Sequence, residues 1–488
     1  MNNSVLKEVN KIKKTIESKI KNEDFNSAIY LITVCAKILY DSNICYCDTQ
    51  LENYIKIVSK KIFNNYPVNN NVKKDVVLFY DSFGLDRRGL AQIYLKAICN
   101  QYKVIYVTFD DRDNGISEIK EIIKNGNGHV RYISRKSPYV AQAYELYKIV
   151  DEFNPEKFFF YSKPSDVVAP SIMYLYRDVM TRYIINLTDH AFWLGADCID
   201  KCIEFRDYGA SVSKDHRNIP KNKIVKIPFY PLIDFNQKFN GFPFPKNNRH
   251  EVLFSGGNIY KTISKNKEYY RMIRNILDKH SNVVFWYAGS GYSKEMEKLI
   301  KDYEGRVFVT DERKDLYQVL CNCDYYISTY PICGGLMFQY AASAGIVPLT
   351  LKSNQLSDDF LLNQKSLNIE FENESKLYEE IDKLIDNKNY KKTRSNEMKK
   401  AVSSVEAFEN RVRELLEGKI KNDVNYYQID TKTIKDLYKE SFTKKRIFID
   451  YVEFEHIGVS LKNSFFKTII GLFFGLISFI KMRIIRGK

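Results

Sequence analysis

The stretch that decides the fold is Ser328–Leu351, which reads STYPICGGLMFQYAASAGIVPLTL. A β-type run ends at Thr329, a turn with Pro331 and two glycines follows, and a helix of small residues leads to another apolar run. This order predicts a parallel βαβ unit. Free backbone N–H groups at the helix start, Gly334–Met337, can donate hydrogen bonds to phosphate oxygens. The alternative is an ordinary βαβ unit that binds no ligand.

Short apolar runs alternate with longer helical segments on both sides of this stretch. Before a proline-rich segment at Ile227–Asn248, the β-type runs lie at residues 75–80, 103–109, 129–134, 157–162 and 183–188. After that segment they lie at residues 251–257, 282–289, 306–310, 324–329 and 346–351. Continuous apolar strands separated by helices indicate parallel sheets covered on both faces.

The length of 488 residues is too great for one ordinary core. We therefore predict an α/β fold with two facing Rossmann-like domains, an N-terminal helical region and a C-terminal helical tail. The predicted boundaries are 1–70 for the helical accessory region, 71–240 and 241–410 for the two Rossmann-like domains, and 411–488 for the helical tail region.

The net charge of +15 favours an anionic partner, which can be nucleic acid, an acidic membrane surface or a phosphate-bearing substrate. We expect no nucleic-acid binding, because no recognised motif occurs and the lysines are spread over polar helical faces. Nine cysteines without Cys-x-x-Cys spacing predict reduced thiols in a cytoplasmic protein. The N-terminus MNNSVLKEVNKIKK lacks the apolar run of a secretory signal.

The tail from Thr468 to Ile480, TIIGLFFGLISFI, contains no charged residue, and no acid follows Glu455. The basic residues around it are Lys462, Lys467, Lys481, Arg483, Arg486 and Lys488. It is shorter than the roughly 20 apolar residues that cross a bilayer. We therefore predict peripheral attachment to the cytoplasmic face of the inner membrane, through cations on anionic lipid and an apolar face in the interface. The alternative is a final helix packed on the core.

Two further glycine-containing loops follow predicted strands. One holds Ser255, Gly256 and Gly257, where a ligand can approach the main chain closely, and Lys261 comes a few residues later. The other loop holds Gly84, Arg87, Arg88 and Gly89, and its arginines are candidates for contact with an anion. Its spacing is not Gly-x-Gly-x-x-Gly, which disfavours a nicotinamide dinucleotide site. Ordinary strand exits and a solvated arginine pair are the alternatives.

The stretch NLTDHAFWLG, Asn186–Gly195, ends another predicted strand in charged residues. Ligands of open α/β sheets bind at the carboxyl ends of the strands, so Asp189 and His190 are candidates for contact with a ligand. Either side chain can act as a general base. Alternatively, His190 caps the turn while Phe192 and Trp193 pack in the core.

Two segments resemble the donor-binding half of GT-B glycosyltransferases of the bacterial surface-polysaccharide type. They are GGLMFQYAASAGIVPL at 334–349 and RVFVTDERKDLYQVLCNCDYYIST at 306–329. FGLDRRGLAQIYLKAI at 83–98 is similar to the acceptor-side loop of such enzymes, and DFNSAIYLITVCAKILYDSNICYCDTQLENYI at 24–55 is similar to an accessory region that precedes some of them. The likeness spans roughly residues 72–410.

The resemblance implies that a nucleotide-sugar lies between the two domains. Its diphosphate would lie near Ser255, Gly256, Gly257, Gly334, Gly335 and Leu336, with Lys261 as the phosphate-binding cation. The nucleoside would lie near Thr310, Arg313, Gln339 and Tyr340. On the acceptor side would lie Gly84, Arg87, Arg88 and Gly89, with His190 and Asp189 as the catalytic residues and one of them as the base of an inverting transfer.

One departure from the family pattern concerns the last loop and helix. Many retaining members carry two glutamates there, whereas residues 331–345 of this chain contain no acid, which disfavours retaining chemistry of that type. The cleft loops contain no Asp-x-Asp stretch, so we expect no metal and no other cofactor.

The sequence thus predicts a glycosyltransferase that moves a sugar from a nucleotide-diphosphate sugar to a glycan or lipid-linked acceptor in cell-surface polysaccharide synthesis. One alternative is a polyol-phosphate transferase of the teichoic-acid type. The other is a non-catalytic nucleotide-sugar-binding partner of another transferase.

Overall fold

The computed structural model describes residues 2–87, 90–161, 163–353, 356–421 and 423–485. The chain divides into two compact units. The first comprises Met1–Phe229, Val405–Ile429 and Phe442–Phe474, and the second comprises Tyr230–Ser404, Asp430–Ser441 and Gly475–Lys488.

Three helices open the first unit: α1 (Asn2–Lys21), α2 (Phe25–Ser42) and α3 (Thr49–Ile62). Buried apolar residues recur at three- and four-residue spacing along α1, as in Val5, Val9 and Ile12. Asp24 accepts a hydrogen bond from the Ser27 backbone N–H at the start of α2, and Asp48 caps α3 in the same way. The predicted N-terminal helical region is therefore confirmed.

A seven-stranded parallel sheet follows, with the strand order β3-β2-β1-β4-β5-β6-β7. Its strands are β1 (Lys73–Asp81), β2 (Lys103–Phe109), β3 (His129–Ile133), β4 (Pro155–Tyr161), β5 (Thr181–Ile185), β6 (Lys201–Glu204) and β7 (Ile224–Lys226). The helices between them are α4 (Ala91–Cys99), α5 (Ser117–Asn125), α6 (Tyr139–Phe153), α7 (Val168–Leu175) and α8 (Asp207–His216). Successive residues of β1, from Val76 to Asp81, are all buried, because helices cover both faces.

The second unit contains a six-stranded sheet with the order β10-β9-β8-β11-β12-β13. Its strands are β8 (Glu251–Asn258), β9 (Val283–Ser290), β10 (Val307–Thr310), β11 (Tyr325–Ile327), β12 (Pro348–Leu351) and β13 (Glu370–Phe371), all paired in parallel. Its helices are α9 (Glu268–Lys279), α10 (Lys294–Asp302), α11 (Leu316–Asn322), α12 (Gly335–Ser343), α13 (Glu374–Asp386) and α14 (Lys388–Lys400). Two parallel α/β sheets in succession confirm the predicted fold class.

The C-terminal part is helical, as predicted. It contains α15 (Val405–Leu416), α16 (Thr431–Ser441), α17 (Lys444–Asp450) and α18 (Ile457–Ile485), and α18 is interrupted by non-helical backbone angles at Ser464. A Cβ on Gly471 would overlap the carbonyl of Phe448, so a glycine is needed where α18 packs on α17. A Cβ on Gly475 would meet nothing within 4 Å.

Residues Phe454–Ile480 form the one helical segment in the described part of the chain that is long and apolar enough to cross a membrane, by length and composition alone. Only 11% of its most apolar window is buried. Five of the exposed large side chains follow one face at three- and four-residue spacing: Phe466, Ile469, Phe473, Leu476 and Ile480. Phe465, Ile470 and Phe479 are exposed beside them. The tail is therefore packed on one side and bare on the other.

Candidate functional site

The start of α12 is the first part of the predicted donor site. A Cβ on Gly335 would lie 2.5 Å from the Phe360 ring, so a glycine is required by packing. The Nζ of Lys261 lies 3.9 Å from the position that a Cβ on Gly334 would take. The half-buried Leu336 completes the first helical turn. An ammonium group therefore stands at a helix N-terminus, where the helix dipole and free N–H groups already favour an anion.

The end of β8 is the second part of the predicted donor site. Ser255 is fully buried there. A Cβ on Gly256 would lie 2.7 Å from the carbonyl oxygen of Ala288, so this glycine permits close packing of β8 on β9. Gly257 has φ +130°, which favours glycine, and a Cβ there would meet nothing within 4 Å. Of the two glycines, Gly257 leaves the main chain open to a ligand.

The predicted nucleoside contacts at the end of β10 form an ordered cluster. The indole N–H of Trp286 donates to Thr310 Oγ1 at 3.0 Å. Arg313 makes a two-point contact with the buried Asp315, with both N–O distances 2.7 Å. The Arg313 guanidinium also lies 5.1 Å from the Trp286 ring centroid. The sequence did not single out Trp286 or Asp315, although both fix Thr310 and Arg313 in position.

Gln339 and Tyr340, the other two predicted nucleoside contacts, are engaged within the second unit. Gln339 is 4% exposed and its side-chain N–H donates to the carbonyl of Phe360. The hydroxyl of Tyr340 donates to the Leu232 carbonyl at 2.9 Å. The structure gives both side chains a packing role, and their contact with a nucleoside stays a prediction.

In the first unit, Asp189 and His190 follow β5, as predicted, and lie in hydrogen-bond contact. His190 Nδ1 is 3.2 Å from Asp189 Oδ1. Asp189 is 1% exposed, and Arg206 donates to both of its oxygens, Nε at 2.5 Å and Nη2 at 3.1 Å. The ion-pair partner of Arg206 is therefore Asp189, whereas the adjacent Asp207 pairs with Lys226.

The ion pair with Arg206 gives Asp189 a different acid–base behaviour from that of His190. Burial alone would raise the pKa of Asp189, but the charge of Arg206 and hydrogen bonds from His190 and Arg206 hold that pKa well below its ordinary value. A carboxylate held so firmly in its charged form is a poor proton acceptor. His190 keeps 18% of its side chain exposed, whereas its Nε2 atom is buried.

The loop that carries these residues is held by groups that the sequence did not indicate. Glu52 of α3 accepts a hydrogen bond from the Gly195 backbone N–H at 2.8 Å, and burial raises the pKa of Glu52 to about 7. Arg217 donates to the carbonyls of Thr188, Asp189 and Ala191. Phe192 and Trp193 are buried in the core, so that part of the structural alternative is correct.

The predicted acceptor-side loop is described only in part, because Arg88 and Gly89 lie outside the described residues. Gly84 has φ +54°, and a Cβ there would overlap Thr108 and Arg112, so this turn requires a glycine. Arg87 forms an ion pair with Glu118 at 2.6 Å. Arg87 therefore already has a carboxylate partner in this loop.

Comparison with solved structures identifies the architecture. An O-GlcNAc transferase of Thermobaculum terrenum superposes with a TM-score of 0.52 at 13% identity, covering 88% of this chain and 83% of that chain. HepE of Anabaena, solved in complex with UDP-glucose, superposes with a TM-score of 0.52 at 13% identity, covering 70% of this chain and 99% of that chain. The chain has the GT-B fold. No known protein family and no curated protein match the sequence.

In this GT-B chain the predicted residues fall into two groups, one on each sheet. His190 and Asp189 follow a strand of the seven-stranded sheet, whereas Lys261, Gly257, Gly334 and Thr310 lie at strand ends or a helix start around the six-stranded sheet. None of the nine cysteines, all of which lie in the described part of the chain, forms a disulfide. Among the described residues, no group of three or more His, Cys, Asp or Glu side chains is arranged to hold a metal ion.

Proposed function

We propose that the chain is a glycosyltransferase that moves a sugar from a nucleotide-diphosphate sugar to a glycan or lipid-linked acceptor. The observation that carries the proposal is the Lys261 ammonium beside Gly334 at the start of α12. A cation at a helix N-terminus is suited to a diphosphate. The proposal is also supported by the fold that the chain shares with an O-GlcNAc transferase and with a protein solved with UDP-glucose.

In the proposed reaction, an acceptor hydroxyl attacks the anomeric carbon of the donor sugar and the nucleoside diphosphate leaves. His190 takes the proton of that hydroxyl, because it is the exposed member of the pair. Asp189 is a positioning residue that holds Nδ1 of His190, so the nitrogen left to take the proton is the buried Nε2. Lys261 and the α12 N–H groups stabilise the charge that develops on the leaving diphosphate, so we propose transfer without a metal.

Replacing Lys261 with Met is expected to weaken nucleotide-sugar binding about 10-fold or more, because a charge-assisted contact to phosphate is lost. Isothermal titration calorimetry against the preferred donor measures this effect. Lys265→Met is the matched control, since Lys265 is an exposed lysine four residues further on. Equal affinity of the Lys261→Met variant and the control would contradict the donor site.

We further propose that the protein works at an anionic membrane surface, to which α18 attaches it. The bare face of α18 supports this proposal, together with Lys462, which pairs with Asp24 but keeps 63% of its side chain exposed, since a basic side chain and an apolar face together suit an anionic interface. Surface-polysaccharide synthesis on a lipid-linked acceptor is consistent with such a location.

A double substitution of Phe466 and Phe473 with Glu is expected to lower binding to phosphatidylglycerol vesicles about 100-fold, because each ring forfeits roughly 1.5 kcal/mol of burial. These rings are 79% and 59% exposed. Vesicle flotation measures the effect. Phe235→Glu is the control, as Phe235 is 72% exposed outside the tail. Unchanged flotation of the double variant would rule out the tail as the anchor.

A further inference from the structure

A cavity of about 130 Å³ opens at the carboxyl edge of the seven-stranded sheet. Ser82 directly follows β1, Lys163 comes shortly after β4, and both line the cavity. From β1 the strands run in chain order to β3 on one side of the sheet, and from β4 to β7 on the other side, so the strand order reverses between β1 and β4. Open α/β sheets bind their ligands at such switch points. His190 is not among the described residues that line the cavity, which is therefore distinct from the proposed base.

Three basic side chains, Lys37, Arg135 and Lys163, line the cavity. Arg135 is 7% exposed, lies 4.0 Å from the Phe109 ring centroid, and donates to Asp111 at 2.7 Å. Burial lowers the pKa of Lys163, and the positive charge of Arg135 lowers it further. Arg135 and Lys163 line the same cavity, and an anion between the two cations would relieve their mutual repulsion.

Three acids line the cavity, Asp166, Glu453 and Glu455, and the first two contact cations or hydrogen-bond donors of the protein. Glu453 pairs with Lys37 at 2.5 Å. Asp166 accepts a hydrogen bond from Tyr80 at 2.9 Å and another from the Val168 backbone N–H at the start of α7. Glu453 and Asp166 are thus engaged by a cation, a hydroxyl and an N–H group, so they oppose an incoming anion less than free carboxylates would, whereas Glu455 adds a negative charge to the lining.

The remaining wall connects the cavity to the tail. The His456 ring lies 4.2 Å from the ring of Tyr139, and His456 Nε2 is 3.2 Å from Gln142 Nε2. Glu455 and His456 line the cavity and are followed directly by α18. A polar cavity therefore lies at the start of the helix whose other face is apolar and exposed.

We propose that this cavity holds the phosphate group of a lipid-linked acceptor whose apolar chain lies along the bare face of α18. The inference rests on the proposed transferase function and names its acceptor as a lipid phosphate. The inference rests on the charge of the cavity and on its position at the start of α18. Arg135 and Lys163 contact the phosphate, and the apolar residues from Phe466 onward contact the apolar chain of the lipid.

The test compares binding of the full-length protein to phosphatidylcholine vesicles that contain either a polyprenyl phosphate or phosphatidylglycerol at equal surface charge. Wild type is expected to prefer the polyprenyl phosphate vesicles. Lys163→Gln and the charge reversal Lys163→Glu are expected to reduce that preference about 10-fold or more. Lys136→Gln, which removes an exposed lysine next to Arg135, is expected to retain it.

Equal preference in the wild type and in both Lys163 variants would overturn the inference. It would also be overturned if wild type bound inorganic phosphate but did not distinguish the two kinds of vesicle, since the cavity would then take free phosphate. Calorimetry with nucleotide-sugars on the same preparations separates the two proposals. If wild type binds a nucleotide-sugar but shows no vesicle preference, only the lipid-phosphate site is refuted. If wild type binds no nucleotide-sugar, the proposed transferase function is refuted.

Discussion

Replacing His190 with Ala is expected to lower kcat by about 100- to 10,000-fold, the usual contribution of a positioned general base. Donor affinity is expected to stay unchanged, because the predicted donor residues lie on the other sheet. The effect arises because no other group then takes the proton of the acceptor hydroxyl as it attacks. Steady-state kinetics, together with calorimetry on the donor, measures both quantities.

The matched control is His129→Ala. His129 is the first residue of β3, at the amino end of a strand of the same sheet, whereas His190 follows the carboxyl end of β5. The His129 ring contacts the ring of Phe153. Its removal tests the loss of an imidazole from the same unit without touching the proposed site. If His190→Ala kept its full kcat, or if His129→Ala lost as much, the assignment of the base would be wrong.

Removing one member of the buried Asp189–Arg206 pair is expected to lower the free energy of unfolding by about 3–5 kcal/mol, because the remaining charge is left buried without its partner. Both side chains are 2% exposed. We therefore expect large destabilisation for Asp189→Ala and for Arg206→Ala, measured by urea denaturation. The double variant Asp189→Leu with Arg206→Met is expected to lose less than either single variant, since it leaves no buried charge.

The control for this pair is Glu152→Ala. Glu152 pairs with Arg131 on the surface of the same unit, where their side chains are 53% and 37% exposed. Its loss is expected to change the free energy of unfolding by less than about 1 kcal/mol. Similar destabilisation by Glu152→Ala and Asp189→Ala would contradict a special contribution of the buried pair.

The same pair predicts a dependence on pH. The pKa of Asp189 is lowered in the folded state, so its contribution to stability is present above the unfolded pKa of about 3.9 and is lost as the pH falls below it. Wild type should therefore lose stability in this acid range. The Asp189→Leu and Arg206→Met double variant should lose less, because its folded state no longer holds this low-pKa carboxylate.

The fold could be predicted because its signals are local. The apolar run in β1 and the glycine turn before α12 are each contained in a short stretch, and parallel strands separated by helices allow few topologies. The positions of Asp189 and His190 at a strand end followed from the same reasoning. The bare face of α18 corresponds to the uncharged tail that the sequence displays directly.

The partners of the candidate site could not be predicted, because they come from distant parts of the chain. Glu52 reaches Gly195 from 143 residues away, and Arg206 meets Asp189 from the loop that follows the next strand, β6. Gln339 and Tyr340 lie in a helix whose pattern does not distinguish a buried polar side chain from one that faces a ligand. The sequence marked the strand ends but did not indicate which long-range contact each side chain makes.

The most direct test of the central claim is calorimetric titration of the purified protein with UDP-, GDP-, CDP- and dTDP-sugars, with NAD as a control. We predict saturable binding of a nucleotide-sugar that is weakened by Lys261→Met and unaffected by Lys265→Met. If no nucleotide-sugar bound, or if binding did not respond to the loss of Lys261, the chain would share the GT-B fold without the proposed donor site.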